Sequence, residues 1–255
     1  MPSVLKKIEE TVKKDLEKNR QTIENHRKPT TKTKSLKKAI KTRSRKKTSI
    51  IAELKYSSPS KGQIKKPTTN ETKNTIKKLE NAQALSILTE PHYFNGKKEY
   101  IKIARKNYNG PILRKDFIID PIQIKETRQL GADAVLLITS LLDTELPKYL
   151  KKCRQNQLEA LVEVRTPREL DIALKSNADI IGINNRNLNN LKIDLNTTIK
   201  LSKKIPTTKT TISESGIQNK NDIKKLKPYC DGFLIGTELM NSKNPEKRLE
   251  DLLCA

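Results

Sequence analysis

Eight short apolar runs, rich in residues that favour β-strands, constrain the fold of this chain more than any other feature. Continuous apolar runs that alternate with helical segments are typical of parallel strands buried on both faces. Eight near-equal units predict an α/β fold, a closed (β/α)8 barrel, rather than the alternative of an open doubly wound sheet, and no G-x-G-x-x-G motif is present. The runs are Ser49–Tyr56, Ala84–Glu90, Pro111–Phe117, Ala134–Thr139, Ala160–Arg165, Ile180–Arg186, Thr210–Gly216 and Gly232–Gly236. The helical segments between them include Pro121–Leu130, Leu146–Asn156, Pro167–Lys175, Leu195–Lys203 and Asn221–Leu226.

The residues before the first run have a different pattern. Apolar residues at three- and four-residue intervals predict one amphipathic helix, and Leu36, Ala39 and Ile40 suggest a second short helical face. We therefore expect a helical extension over residues 1–47, packed on a single catalytic barrel domain over residues 48–255. The first stripe consists of Val4, Leu5, Ile8, Val12 and Leu16.

Composition excludes several classes of protein. No apolar run approaches the roughly 18 residues of a membrane span, and the N-terminus does not resemble a secretory signal. Three cysteines, widely spaced and odd in number, argue against a disulfide scaffold and for a reducing compartment. We expect a cytoplasmic protein. Two histidines and no Cys-x-x-Cys motif leave no His-rich metal site.

The net charge of +24 is unevenly distributed. Residues 1–50 hold 17 basic and 5 acidic side chains, and residues 27–47 hold 11 basic side chains with no acid and no aromatic. Three interpretations are open: a solvated lysine-rich surface, attraction of a phosphorylated small molecule, or nucleic-acid binding through the basic run. The run has no aromatic on which bases could stack. We therefore expect a small phosphorylated ligand, with neither a nucleic acid nor a membrane as partner.

Polar and charged residues cluster where the predicted strands end. A barrel brings the carboxyl ends of its strands to one rim, where barrel enzymes keep their active sites. Inward-facing charges are costly without partners, so several at one rim predict a shared catalytic site. These strand ends carry Glu53 and Lys55, Thr89-Glu90, Arg114-Lys115-Asp116, Glu163, Asn184-Asn185-Arg186, Ser213-Glu214-Ser215-Gly216 and Gly236-Thr237.

At these residues the sequence resembles the indole-3-glycerol-phosphate synthases. The Ser-Pro-Ser-Lys-Gly loop, LRKDFI and GINNR are specific to that family, and the order of all the motifs along the chain is more telling than any one of them. The matching stretches are IIAELKYSSPSKG (50–62), ALSILTEPHYFNG (84–96), PILRKDFIIDPIQIKETRQLGADAVLLI (111–138), ALVEVRTPREL (160–170), IIGINNRNL (180–188), ISESGI (212–217) and, more loosely, LIGTELM (234–240).

The resemblance implies a reaction of tryptophan biosynthesis. In it, 1-(2-carboxyphenylamino)-1-deoxyribulose 5-phosphate closes to indole-3-glycerol phosphate with loss of CO2 and water, without a metal or an organic cofactor. By resemblance Lys115 is the general acid, with a pKa that a charged neighbourhood can lower towards neutrality. Glu163 matches the catalytic carboxylate, and Lys55 is a second candidate acid. Glu53 and Asn184 match residues that orient these groups and bind substrate.

The remaining site residues are expected to bind the two ends of the substrate. Glycines allow backbone N–H groups to approach a phosphate after the last two strands of a barrel. The first loop could close over the same end through Ser58, and Arg186 matches a family position near the substrate. Phe94, Phe117 and Leu136 are expected to pack against the anthranilate ring. The candidate phosphate ligands are Ser215, Gly216, Gly236 and Thr237.

Two further barrel hypotheses remain. One is phosphoribosylanthranilate isomerase, an activity that uses a Cys base and an Asp acid in the isomerase family; Cys230 is the one cysteine near a strand that could serve. The other is a barrel that has lost its activity, against which the intact set of charged residues argues. About 19 residues follow the eighth run, too few for a second barrel, so we expect a monofunctional chain that is a monomer or a weak homo-oligomer.

Overall fold

The computed structural model of the chain describes residues 4–25, 32–42, 47–58, 62–63, 67–187 and 190–255. Eight parallel strands close into a barrel in which each strand pairs with its neighbours along the chain and β1 also pairs with β8. The predicted (β/α)8 barrel is confirmed, and the open-sheet alternative is wrong because the sheet has no free edge. The strands are β1 (Ile50–Leu54), β2 (Ala84–Leu88), β3 (Ile112–Lys115), β4 (Ala134–Ile138), β5 (Glu159–Val164), β6 (Ile180–Asn184), β7 (Thr210–Glu214) and β8 (Gly232–Ile235).

Helices follow the strands and cover the outside of the barrel. Several begin where the sequence offers a side-chain cap before a proline or a polar first turn: Asp120 caps α6, Thr166 caps α9 and Asn219 caps α11. The predicted helical segments are thus confirmed to within one or two residues. The helices are α1 (Val4–Asn25), α2 (Leu36–Lys41), α3 (Thr69–Lys78), α4 (Pro91–Phe94), α5 (Glu99–Asn107), α6 (Pro121–Leu130), α7 (Thr139–Leu142), α8 (Leu146–Gln155), α9 (Pro167–Lys175), α10 (Asn196–Ser202), α11 (Lys220–Leu226), α12 (Thr237–Met240) and α13 (Pro245–Leu253). Single 3-10 turns occupy Asp143–Glu145 and Lys227–Tyr229, and a two-residue ribbon pairs Ser57–Ser58 with Gly62–Gln63.

Helix α2 closes the amino-terminal end of the barrel. Leu36 and Ile40 are buried in one cluster with inward-facing strand residues such as Ile51 and Leu161. The backbone N–H of Lys37 donates to the Glu159 carboxylate, and Ser49 Oγ donates to the Ile40 carbonyl at 2.9 Å. Because one end of the barrel is plugged, the other end is left for a ligand.

Helix α1 packs against α6 and the loops at the carboxyl end of the barrel. Its apolar stripe is buried at Ile8, Val12 and Leu16, as predicted, and also at Ile23, whereas the side chains of Val4 and Leu5 lie outside the described residues. Polar contacts also attach the helix: Asp15 Oδ2 lies 2.7 Å from His92 Nε2, and Arg20 pairs with Asp120. Near the end of α1, the carbonyls of Ile23 and Glu24 accept from Gln129 and Lys125 on α6.

The basic run over residues 27–47 is described only in part, since residues 26–31 and 43–46 lie outside the described segments. In the described part, Lys37 pairs with Asp179 and Lys41 donates to the carbonyls of Thr207 and Lys209. Within the described segments, no helix is both long enough and apolar enough to cross a membrane.

Candidate active site

The strands bring five predicted catalytic residues to one cavity at the carboxyl-terminal rim. Successive strand residues point to opposite faces, so the residues that line the cavity alternate with others that face the helices. Each of the five comes from the end of its strand or the residue just after it. They are Glu53 on β1 and Lys55 just after it, Lys115 on β3, Glu163 on β5 and Asn184 on β6.

Lys115 stands between carboxylates from two other strands. Its Nζ lies 3.5 Å from Oε2 of Glu163 and 3.8 Å from Oε2 of Glu214. Only 18% of the Lys115 side chain is exposed, so these charges interact with little screening by solvent. Lys115 is thus held as an ammonium that faces the cavity.

A second lysine–carboxylate pair faces the same cavity from β1. Lys55 Nζ lies 2.8 Å from Oε1 of Glu53. A Cβ atom on Gly236 would lie 2.4 Å from that oxygen and 2.9 Å from the Glu53 Cβ. The glycine after β8 therefore leaves the room that the Glu53 side chain occupies.

The charges in the cavity raise the pKa of Lys115 and lower the pKa of Glu53. Burial disfavours the Lys115 ammonium, but Glu163, Glu214 and Glu53 outweigh burial and raise the pKa of Lys115 above its ordinary value. Our expectation that a charged neighbourhood lowers this pKa is therefore wrong, because the nearest charged groups are carboxylates, which favour the ammonium. Burial alone would raise the pKa of Glu53, yet Lys55 and Lys115 lower it below its usual range.

Glu214, at the end of β7, belongs to this cluster, although the sequence pattern placed it only among the strand-end residues and assigned it no role. It is 1% exposed and lines the cavity. Burial, with the Glu163 and Glu53 carboxylates nearby, raises its pKa to about 8 despite the opposing charge of Lys115. Its Oε1 has no hydrogen-bond partner among the described residues. The available signal was its position inside ISESGI, where the alternation of β7 points it inward.

The candidate phosphate end lies where β7 and β8 leave the barrel. Ser215 and Gly216 both have positive φ, 67° and 87°, and line the cavity together with Gly236 and Thr237. A Cβ on Gly216 would lie 2.4 Å from Cγ2 of Ile193, so a larger residue would push the β6–α10 loop away. Helix α12 begins at Thr237, and the first N–H groups of a helix lack intrahelical acceptors. This geometry suits an anion.

An apolar wall lies on the β2–β4 side of the cavity. Phe94, Phe117 and Leu136 line it, and the two rings are 6.1 Å apart between centroids. The buried carboxylate of Glu90 accepts hydrogen bonds from the backbone N–H groups of His92, Tyr93 and Phe94 and thereby positions α4 with its ring. A planar aromatic group is the ligand that fits such a wall.

Arg186 also lines the cavity, and its Nη1 donates to the Leu191 carbonyl at 3.2 Å. The side chain of Ser58 lies outside the described residues, so its predicted contact with the substrate stays a prediction. The structure thus gathers every other predicted site residue at one cavity.

Some polar residues of the strand ends belong instead to the scaffold. Arg114 is 1% exposed and faces the helices, where it pairs with Asp116 at 2.8 Å and Glu126 at 2.9 Å. Asn185 is buried and holds β6 to β7 through Ser213 Oγ at 3.1 Å. Strand alternation explains the separation of Arg114 from Lys115: Lys115 points inward, and Arg114, the residue before it on β3, points outward.

The isomerase hypothesis finds no support at Cys230. That residue is not among the described residues that line the cavity, and its Sγ donates to the Leu226 carbonyl at 3.5 Å. Burial raises the pKa of the thiol to about 12, the reverse of what a general base requires.

Within the described segments, no group of three or more His, Cys, Asp and Glu side chains could hold a metal ion.

Comparisons with known proteins identify the same family that the sequence motifs resemble. The model of the indole-3-glycerol phosphate synthase family matches residues 1–252. An indole-3-glycerol phosphate synthase from Methanocaldococcus jannaschii is 44% identical over 220 residues, which cover 86% of this chain and 82% of the relative. One from Clostridium kluyveri is 47% identical over 193 residues, covering 75% of this chain and 74% of the relative.

Solved structures of other enzymes share the fold. The 3-hexulose-6-phosphate synthase from Salmonella typhimurium superposes with a TM-score of 0.66 at 13% identity, covering 80% of this chain and 96% of that chain. A thiamine phosphate pyrophosphorylase from Pyrococcus furiosus superposes with a TM-score of 0.58 at 15% identity, covering 80% and 93%. At such low identity these two likenesses concern the barrel alone.

Proposed function

Because the chain belongs to the indole-3-glycerol phosphate synthase family, we propose that the catalytic residues of its reaction are Lys115, Glu163, Lys55, Glu53 and Asn184. The enzyme is a carbon–carbon lyase of tryptophan biosynthesis. It converts 1-(2-carboxyphenylamino)-1-deoxyribulose 5-phosphate to indole-3-glycerol phosphate, with release of CO2 and water.

Lys115 acts as the general acid of ring closure. The aromatic carbon that bears the carboxylate attacks the ketone carbon, and the ketone oxygen takes up a proton as the new carbon–carbon bond forms. A proton donor at that oxygen lowers the barrier by stabilising the developing alkoxide. The Glu163 carboxylate beside Lys115 favours its charged form, so the donor is in its active form before substrate arrives.

Loss of CO2 and then of water completes the reaction. Decarboxylation returns the electron pair to the ring, and dehydration requires the new hydroxyl to leave with a proton while another proton is removed. Glu163 serves as the base for that removal, and Lys55, the second ammonium of the cavity, is the candidate acid for the departing hydroxyl. Glu53 and Asn184 orient these groups through their contacts with Lys55 and Glu163.

The substrate lies across the cavity with its phosphate at the β7–β8 end and its aromatic ring on the apolar wall. Ser215, Gly216, Gly236 and Thr237 bind the phosphate, with Arg186 and the Ser58 loop near the sugar. Phe94, Phe117 and Leu136 hold the ring. The strongest support is that two lysines and three carboxylates meet between an anion-binding end and an apolar wall.

The remaining parts of the proposal concern the whole chain. Residues 1–47 form a helical extension and residues 48–255 the single catalytic domain. The reaction uses no metal and no organic cofactor, and the enzyme works in the cytoplasm as a monomer or weak homo-oligomer without a nucleic-acid partner. The acid–base roles above account for each proton without a further group.

The test is turnover of the carboxyphenylamino-deoxyribulose phosphate, followed by the fluorescence of the indole product. Removing a general acid costs about 10²–10⁴-fold in rate, so Lys115→Ala should lower kcat by that factor. The control is Lys148→Ala, which removes a lysine from an exposed pair with Glu145 and should leave kcat unchanged. A Lys115→Ala enzyme with wild-type kcat would exclude the assigned acid.

A further inference from the structure

Gly182 stands in the middle of β6 between two carboxylates of the cavity. In the barrel register Gly182 pairs with Glu163 on β5 and with Ile212 on β7. Ile212 precedes Glu214 by two residues, so the two side chains point to the same side of β7. A Cβ atom at this position would lie 2.0 Å from Oε1 of Glu214. No real contact is so short, so a side chain at position 182 and the present position of the Glu214 carboxylate exclude each other.

The backbone itself does not require glycine at this position. Among the described residues, those with positive φ do not include Gly182, so its conformation is open to alanine. The next described atoms near its Cβ would be Cδ of Glu214 at 3.1 Å and Cδ1 of Leu161 at 3.3 Å, which small shifts can relieve. The severe overlap therefore involves the end of one flexible side chain.

The carboxylate that fills this space belongs to the charge cluster of the reaction. Oε2 of Glu214 lies 3.8 Å from Nζ of Lys115, while its Oε1 projects over Gly182 without a hydrogen-bond partner among the described residues. A carboxylate pushed off Gly182 would have to move into the cavity or against its neighbours. Either movement changes the electrostatic surroundings of Lys115.

We propose that Gly182 is a positioning residue, whose missing side chain leaves the space that holds the Glu214 carboxylate beside Lys115. This inference rests on the proposed role of Lys115. It assigns a function to a residue that is not among the described residues lining the cavity. The glycine acts through Glu214 alone.

The experiment compares Gly182→Ala with the wild-type enzyme in steady-state kinetics and thermal unfolding. A misplacement of about 1 Å in an active site can cost about 100-fold, so kcat/KM should fall by about that factor, chiefly in kcat, with a changed pH–rate profile. The unfolding temperature should change by no more than about 3 °C, since alanine suits a strand better than glycine does. The matched control is Gly232→Ala on β8, whose Cβ would meet Ser49 O, Ile212 Cδ1 and Ile40 Cγ2 at 3.1–3.3 Å, none of them an atom of a charged side chain. It should leave kcat and the pH–rate profile unchanged.

A double-mutant cycle tests whether the effect passes through Glu214. In the Glu214→Ala background the added methyl group has space, so the variant carrying both changes should match Glu214→Ala within about twofold. Wild-type kcat/KM in Gly182→Ala, or a further loss of about tenfold in the double variant, overturns the proposal. Should Glu214→Ala leave too little turnover to measure, the crystal structure of Gly182→Ala decides, because an unmoved Glu214 carboxylate refutes the proposal. Failure of the proposed function would appear separately, as wild-type turnover in Lys115→Ala.

Discussion

Asn184 donates a hydrogen bond from Nδ2 to Oε1 of Glu163 over 3.1 Å. The same carboxylate offers its other oxygen, Oε2, to Lys115. Oδ1 of Asn184 is in turn held by the backbone N–H of Arg186 at 2.9 Å. Because the amide is fixed at its oxygen, its nitrogen can direct the carboxylate of Glu163 towards the ammonium.

Removing this amide should therefore misplace the catalytic base without unfolding the barrel. Asn184→Ala frees Oε1 of Glu163, and we expect kcat to fall by up to about 100-fold with a smaller change in KM. Asn107→Ala serves as control, because the side chain of Asn107 donates to the Ile103 carbonyl of its own helix, α5, and is not among the described residues that line the cavity. Steady-state kinetics of both variants checks the prediction, and a loss confined to KM would contradict the orienting role.

The buried carboxyl of Glu214 should make stability depend on pH. Its pKa is raised to about 8 from an ordinary 4.5, so between these values the folded protein retains a proton that the unfolded chain has released. Its contribution to stability therefore falls as pH rises through that window. Glu214→Gln cannot ionise, so it should not lose this stability. The unfolding temperature of Glu214→Gln relative to that of the wild type should therefore rise by at least about 2 °C between pH 5 and pH 9.

Thermal unfolding across that pH range measures this gain. Glu145→Gln, which alters a carboxylate with 60% of its side chain exposed, is the control and should show no such trend. A difference between Glu214→Gln and wild type that stays constant with pH would mean that Glu214 is already ionised at pH 5 in the folded enzyme.

Alanine variants of Gly216 and Gly131, two glycines with a left-handed backbone, should distinguish the effect on phosphate binding from the effect of backbone strain. Their φ values are 87° and 91°, so the left-handed backbone alone makes alanine cost about 1–2 kcal/mol of stability at either position. At Gly216 the overlap of the new Cβ with Cγ2 of Ile193, 2.4 Å away, adds to that cost. Only Gly216 lines the cavity, and the nearest atom to a Cβ on Gly131 is Cγ of Arg105 at 3.7 Å. Gly216→Ala should therefore raise KM by about tenfold, equivalent to about 1.4 kcal/mol of binding, while Gly131→Ala leaves KM unchanged.

Substrate kinetics, together with inhibition by inorganic phosphate, checks this difference between the two variants. Weaker inhibition by phosphate in Gly216→Ala alone is the expected result. Equal KM values for Gly216→Ala and Gly131→Ala would remove Gly216 from the phosphate site.

The barrel could be predicted because its signals are local. Each strand is a short apolar run, and helix starts such as Asp120-Pro121 carry their own capping residues, so neither requires a distant partner to be recognised. The rim could be predicted for a related reason. In a barrel of parallel strands, the end of each run is also the end nearest the active site.

The sequence by itself therefore determined the (β/α)8 architecture, the helical extension and the strand ends that could carry catalysis. Only the tertiary structure decided how the charges act on one another. Glu214 joined the cluster, Lys115 acquired a raised pKa, and Gly182 became the neighbour of a carboxylate. These properties depend on distances between groups far apart along the chain, such as Lys115 and Glu214, which closure of the barrel brings to 3.8 Å. Coulombic interactions and steric overlap follow distance in space, which a local pattern does not contain.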